Sequence, residues 1–163
     1  MSIVLFRIDE RLIHGQVVVG WEAEARPDRV IVVDDALAAS RWEQELYELG
    51  LPPALRAVFA SVEDARARLD EWRSHADRII LLTRDAATMA AIGGGGLLDG
   101  VDINVGGLHH APGRRQVLPY VFLSPDEEQA LRDLASGGAR VSARDLPGSR
   151  RVPLEQLLGG ESK

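Results

Sequence analysis

A histidine placed just after an apolar run and beside two arginines is the first feature of this sequence that suggests chemistry: Arg7-Ile8-Asp9-Glu10-Arg11-Leu12-Ile13-His14-Gly15-Gln16-Val17. Neutral imidazole is a good nucleophile, and a phosphoramidate formed on it is labile enough to hand its group onward. Phosphoryl transfer asks a protein mainly for positioning and for positive charge around the three equatorial oxygens, supplied by guanidinium and backbone N–H groups. Arg7 and Arg11 are the candidates for that charge. Gly15, without a side chain, lets a phosphate approach the backbone, and a helix beginning near Gln16 would add N–H groups and a favourable dipole end. Asp9 is acidic, so its expected part is to orient an arginine or the imidazole. On these residues alone, an ordinary half-buried histidine packed against Leu12 or Ile13, with its arginines in surface ion pairs, accounts for the pattern about as well.

A second constellation, Asn104-Val105-Gly106-Gly107-Leu108-His109-His110-Ala111-Pro112-Gly113-Arg114-Arg115, follows a later apolar run. Its glycine pair permits a tight loop, and Arg114 and Arg115 are placed to face an anionic group or an acidic partner. Adjacent histidines point apart and no further ligands stand at helical spacing, so no metal site is expected. Asp34-Asp35 reads as a helix cap in preference to a Mg²⁺ site. Gly93 to Gly96 follows a helical pattern and lacks the lysine and hydroxyl of a phosphate-binding P-loop, which makes it a connector.

The elements that must position these groups are legible from periodicity. Valine- and isoleucine-rich runs at Ile3 to Ile8, Arg29 to Asp34, Leu55 to Ala60, Asp77 to Thr83 and Val101 to Val105 predict strands. Helical spacing covers Gln16 to Ala25, Ala38 to Leu49, Val62 to Trp72 and Asp85 to Ile92. Ser124-Pro125-Asp126-Glu127 is a capping box with proline at the first helical position, predicting a helix to about Ala135. A short strand at Arg140 to Ala143 and a helical turn around Leu154 to Leu158 complete the pattern. This alternation predicts an α/β fold, an open and mostly parallel central sheet with helices on both faces, as a single domain over residues 1–163. In such sheets the reactive groups gather beyond the carboxyl ends of the strands, where the His14 segment falls.

Composition narrows the classes further. The 163 residues include no cysteine, which excludes disulfide frameworks, thiolate metal sites and cysteine nucleophiles. A formal charge of −6 argues against nonspecific nucleic-acid binding. No apolar run approaches the roughly 18 residues of a membrane span, and the first apolar stretch is too short for a signal segment. The expectation is a cytoplasmic protein that reaches a membrane only through a partner.

The run R-I-D-E-R-L-I-H-G-Q-V closely resembles the signature of IIB subunits in the mannose/fructose/sorbose family of the bacterial phosphoenolpyruvate-dependent sugar phosphotransferase system (PTS). V-I-V-V-D-D from Val30, V-F-A-S-V-E-D-A from Val58 and I-N-V-G-G-L-H from Ile103 fall in the order that family shows. The resemblance implies a sugar phosphotransferase whose phosphohistidine is His14, modified at Nδ1, with no cofactor. It implies a IIA phosphodonor, the membrane subunits IIC and IID and a sugar as partners, and homologous systems suggest dimers. Arg11 matches the family's loop arginine and is the implied phosphate contact. Asp9 and Arg7 also match, Ser61 matches a serine that touches phosphate or an interface, and His109 stands where the family has its histidine after the glycines. Glu10 replaces a commoner aspartate, and the additional His110 has no family role. A regulatory phosphohistidine module without a transport role needs the same loop. A flavodoxin-like nucleotide binder would need a glycine fingerprint after the first strand, which is lacking.

Overall fold

The computed structural model describes residues 2–15 and 19–159. Nine strands and seven α-helices follow one another in the order β1 (Ile3–Ile8), α1 (Glu22–Ala25), β2 (Arg29–Val33), α2 (Asp35–Ala38), α3 (Arg41–Glu48), β3 (Arg56–Ala60), α4 (Val62–Arg73), β4 (Ile79–Thr83), α5 (Ala86–Ile92), β5 (Asp102–Val105), β6 (Arg115–Leu118), β7 (Val121–Leu123), α6 (Pro125–Ser136), β8 (Arg140–Ala143), β9 (Val152–Pro153) and α7 (Leu154–Gly159), counted among the described residues. Seven strands form one sheet in the order β3-β2-β4-β1-β5-β8-β9. All its pairings are parallel except β8 with β9. The predicted α/β architecture is the observed one.

The central strands read as unbroken apolar runs because both sheet faces are covered. On one face α4, α5, α6 and α7 bury Leu69, Trp72, Met89, Ile92, Leu131, Leu134 and Leu158 against β1, β4, β5 and β8. On the other, Leu12, Ile13, Trp21, Ala25 and Leu37 pack against Val30, Val32, Ile80 and Leu82. β1 lies in mid-sheet, hydrogen-bonded to β4 and β5, so the loop leaving Ile8 emerges from the most constrained part of the sheet.

Helix starts follow side-chain chemistry. Asp34, Ser61, Asp85 and Ser124 each accept a backbone N–H as N-cap, and Ser124 with Glu127 completes the predicted capping box. Asp34 is therefore a cap, as expected. Three features differ from the expected pattern or add to it. The helix expected over Ala38 to Leu49 begins only at Arg41, because Ser40 is extended (φ −123°), and Ala38 ends the separate short helix α2. Gly94–Gly96 forms a 3₁₀ turn, whose Gly94 carbonyl accepts from Arg66 Nη1 at 2.8 Å. The antiparallel β6–β7 hairpin and the edge strand β9 had no predicted counterpart. Gln16 and Val17, in the first predicted helix, lie outside the described residues.

Candidate functional site

The backbone leaving β1 turns sharply: the Leu12 N–H bonds the Asp9 carbonyl at 2.9 Å, and Leu12 takes a left-handed φ of +57°. That conformation is costly for a branched apolar residue, and its side chain is fully buried in the smaller core, which holds the turn in place. The turn aims the Leu12 carbonyl at His14 Nδ1, 2.8 Å away. A carbonyl only accepts, so Nδ1 carries the proton whenever this bond is made. The other ring nitrogen, Nε2, is buried without a hydrogen bond and lies 3.8 Å from Asp9 Oδ2.

Asp9 is the hub. Its fully buried carboxylate accepts from Arg7 Nη2 (3.0 Å), from the Arg11 backbone N–H, Nε and Nη2 (3.1 to 3.2 Å), and from the Gly107 N–H (3.2 Å). Burial pushes this carboxyl up, but the Arg11 hydrogen bonds and the Arg7 charge outweigh it and hold the group below the usual carboxylate range. It is therefore ionised at neutral pH and presents negative charge to the back of the imidazole.

The two arginines divide their work. Arg11 keeps 32% of its side chain exposed, and its Nη1 makes no hydrogen bond among the described residues, so one edge of the guanidinium is open while the other holds the carboxylate that His14 also faces. Arg7 is fully buried. Its Nη1 donates to Asn104 Oδ1 and to the Arg144 carbonyl (2.9 Å), and its Nη2 to Asp9 and to the Asp145 carbonyl (3.0 Å). The expectation that Arg7 offers charge directly to a phosphate is corrected on this ground: it holds Asp9 from beneath. No described residue lies within 4 Å of where a Gly15 side chain would stand.

The second constellation reaches the same edge of the sheet. A Cβ on Gly106 would fall inside the Arg7 guanidinium, and one on Gly107 would lie 2.8 Å from Arg11 Nη2. The glycine pair thus makes room for the two arginines, a reason beyond the tight turn that the sequence suggested. His109 donates its backbone N–H to Glu10 Oε1 (3.1 Å), and its Nδ1 lies 2.9 Å from Glu10 Oε2. Arg114, expected to face an outside anion, is turned inward: it joins Glu10 at 2.9 Å to Glu127 at 2.6 Å, tying the His14 loop to the first turn of α6. Arg115 bonds Glu128 at 2.9 Å. Ser61 is set apart, its hydroxyl capping α4 three strands from β1, about 14 Å at ordinary strand spacing.

Glu10, Asn104 and Glu127 stand in segments that the sequence marks, but their part in the site was not predicted, because their partners His109, Arg7 and Arg114 are distant in sequence or in another element. No group of three or more residues suited to a metal ion occurs among the described residues.

Residues 3–163 match the family described as PTS system sorbose subfamily IIB component. The chain belongs to this family. The IIB chain is 33% identical over 159 residues to the N-acetylgalactosamine-specific phosphotransferase enzyme IIB component 2 of Escherichia coli (strain K12), covering 96% of this chain and 99% of that protein. It is 31% identical to the sorbose-specific EIIB component of Klebsiella pneumoniae over 88% of this chain and 87% of that one. Among solved structures, the IIBSor domain of the sorbose permease from Klebsiella pneumoniae superposes with a TM-score of 0.87 at 27% identity, covering 98% of each chain. Membership makes the protein a sugar-specific phosphotransferase component of the PTS, and fits a phosphocarrier step in sugar uptake. No helix among the described residues is long and apolar enough to cross a membrane.

Proposed function

We propose that this IIB component takes a phosphoryl group from a IIA histidine onto Nδ1 of His14 and passes it to a sugar brought in by the membrane subunits IIC and IID, working in the cytoplasm. The observation that carries this reading is the ionised Asp9 carboxylate shared by His14 Nε2 at 3.8 Å and by Arg11 Nε at 3.2 Å, with the far edge of Arg11 open. For Nδ1 to attack phosphorus its lone pair must be free, so the bond to the Leu12 carbonyl has to break and the remaining proton must reside on Nε2. Asp9 favours that tautomer and stabilises the positive charge the ring acquires once phosphorylated. Arg11 Nη1 is available to the equatorial oxygens, and open space at Gly15 admits the donor. His109 contributes through Glu10, by fixing the loop. The relatives' names refer to sugars and, in one case, a permease, which favours transport over a regulatory module.

The test is to supply phosphoenolpyruvate, the general phosphotransferase proteins and a matching IIA, and to map acid-labile phosphate by mass spectrometry. Label is expected on His14 and absent from His14→Ala, which should fold normally. Label persisting in that variant, or none on the parent with a IIA proven competent on another IIB, would overturn the reading.

A further inference from the structure

The helices that cover the smaller-core face of the sheet stop at β1. Beyond it, side chains alternate along β5 and β8, so Ile103, Val105, Val141 and Ala143 enter the larger core while Asp102, Asn104, Arg140 and Ser142 face the opposite way. The result is a cleft of about 320 Å³, large enough for a small organic ligand. Its polar lining is unusual in a chain of net charge −6: among the described residues, the arginines Arg78, Arg140, Arg144 and Arg151 stand against two carboxylates, Glu24 and Asp102.

Internal pairing consumes only part of these donors: Arg140 Nε bonds Asp102 Oδ1 at 2.7 Å, and Arg144 gives Nη1 to the Pro147 carbonyl at 3.0 Å and Nη2 to Glu24 at 3.5 Å. Arg78 spends Nε on the Ala25 carbonyl, and Arg151 spends Nη1 on Ser142 Oγ at a long 3.3 Å. On the cleft wall, Trp21 is 1% exposed and lies under the Arg144 guanidinium, 5.0 Å from its ring centre, so neither the indole N–H nor Arg144 Nε is open to the cleft. The donors left for a ligand are the remaining guanidinium N–H groups of Arg78, Arg140 and Arg151. Several guanidinium groups match an oxygen-rich dianion better than a single carboxylate.

We propose that this cleft binds a small phosphate monoester. Two of its wall residues also support the phosphoacceptor loop. Asn104 Oδ1 and the Arg144 carbonyl both accept from Arg7 Nη1, and Arg7 in turn pairs with Asp9 at 3.0 Å. Ligand pressing on Asn104 or Arg144 therefore acts on the residue that anchors Asp9 behind His14. The site is separate from His14 itself and does not depend on the transfer chemistry proposed above.

The experiment is an NMR titration of the full chain with glucose 6-phosphate, with inorganic phosphate and uncharged glucose in parallel. Expected are saturating shifts of the Trp21 indole N–H and of the Gly100 to Asn104 amides with glucose 6-phosphate, smaller ones with phosphate, and none with glucose. Arg140→Gln combined with Arg151→Gln, both at exposed positions, should weaken binding by at least about tenfold while leaving the thermal midpoint unchanged. Absence of shifts, equal shifts with glucose, or undiminished binding in the double variant would overturn the proposal. Because binding is read without any phosphotransfer, its failure is distinct from failure of His14 to take label.

Discussion

At the scale of single residues, two arginines four positions apart play different parts because one lies under the loop and the other on its rim. Removing Arg7 takes the fully buried cation from Asp9 and leaves Asn104 and the Arg144 and Asp145 carbonyls without their shared donor, and loss of one partner of a buried pair costs about 3–5 kcal/mol. Arg7→Ala should therefore lower the denaturant midpoint markedly. Arg11→Ala leaves Arg7 and the Gly107 N–H on Asp9, so its main effect is on transfer, slowing phosphorylation about 10²-fold if it meets transition-state charge. Urea melts of both variants beside the rate of label uptake make the comparison; a large stability loss in Arg11→Ala with an unchanged rate would reverse the assignment. A linear reading treats both as cations near a histidine, since burial is a property of the folded chain.

At the scale of elements, the site is a joint between two loops. The loop after β1 supplies Asp9, Arg11 and His14, and the loop after β5 supplies the glycines against which the guanidinium groups lie. Backbone bonds close the joint, with Gly106 N–H to the Ile8 carbonyl at 2.7 Å and Glu10 N–H to the Gly107 carbonyl at 2.9 Å. Gly106→Ala forces its Cβ into the buried Arg7 and should cost about 1–3 kcal/mol, the range for overpacking. Gly15→Ala meets no described residue within 4 Å and should leave the thermal midpoint unchanged. Equal midpoints for the two variants would mean that the joint yields more readily than its packing indicates. A third clip, Glu10–Arg114–Glu127, explains why the capping box of α6 belongs to the site: Glu127 caps the helix with one oxygen and receives Arg114 on both.

At the scale of the whole molecule, these clips make stability depend on acid. Burial raises the carboxyls of Asp9, Glu10 and Glu127, but their hydrogen-bonded arginines outweigh it and hold all three below the ordinary range. A group with a depressed folded value stabilises the fold fully above its unfolded value and loses that contribution as pH falls through the folded one. Thermal midpoints should thus be level near neutrality and fall once pH drops below about 4. Asp9→Asn should start lower and show a shallower acid decline, and an identical slope in both proteins would show that Asp9 is not among the groups responsible. The alternation of strands and helices, the caps at Ser124 and Asp34, and the position of His14 beyond β1 are legible along the chain, because periodicity, capping and the first strand-to-helix passage are local. Which arginine is buried, the room that Gly106 and Gly107 make for guanidinium groups, the inward turn of Arg114, and the existence of β9 and the β6–β7 hairpin are set by the folded arrangement. Each of those depends on partners up to a hundred residues or more away, as in the Arg7 bond to the Arg144 carbonyl, brought together only when the sheet places β1 beside β5 and β5 beside β8.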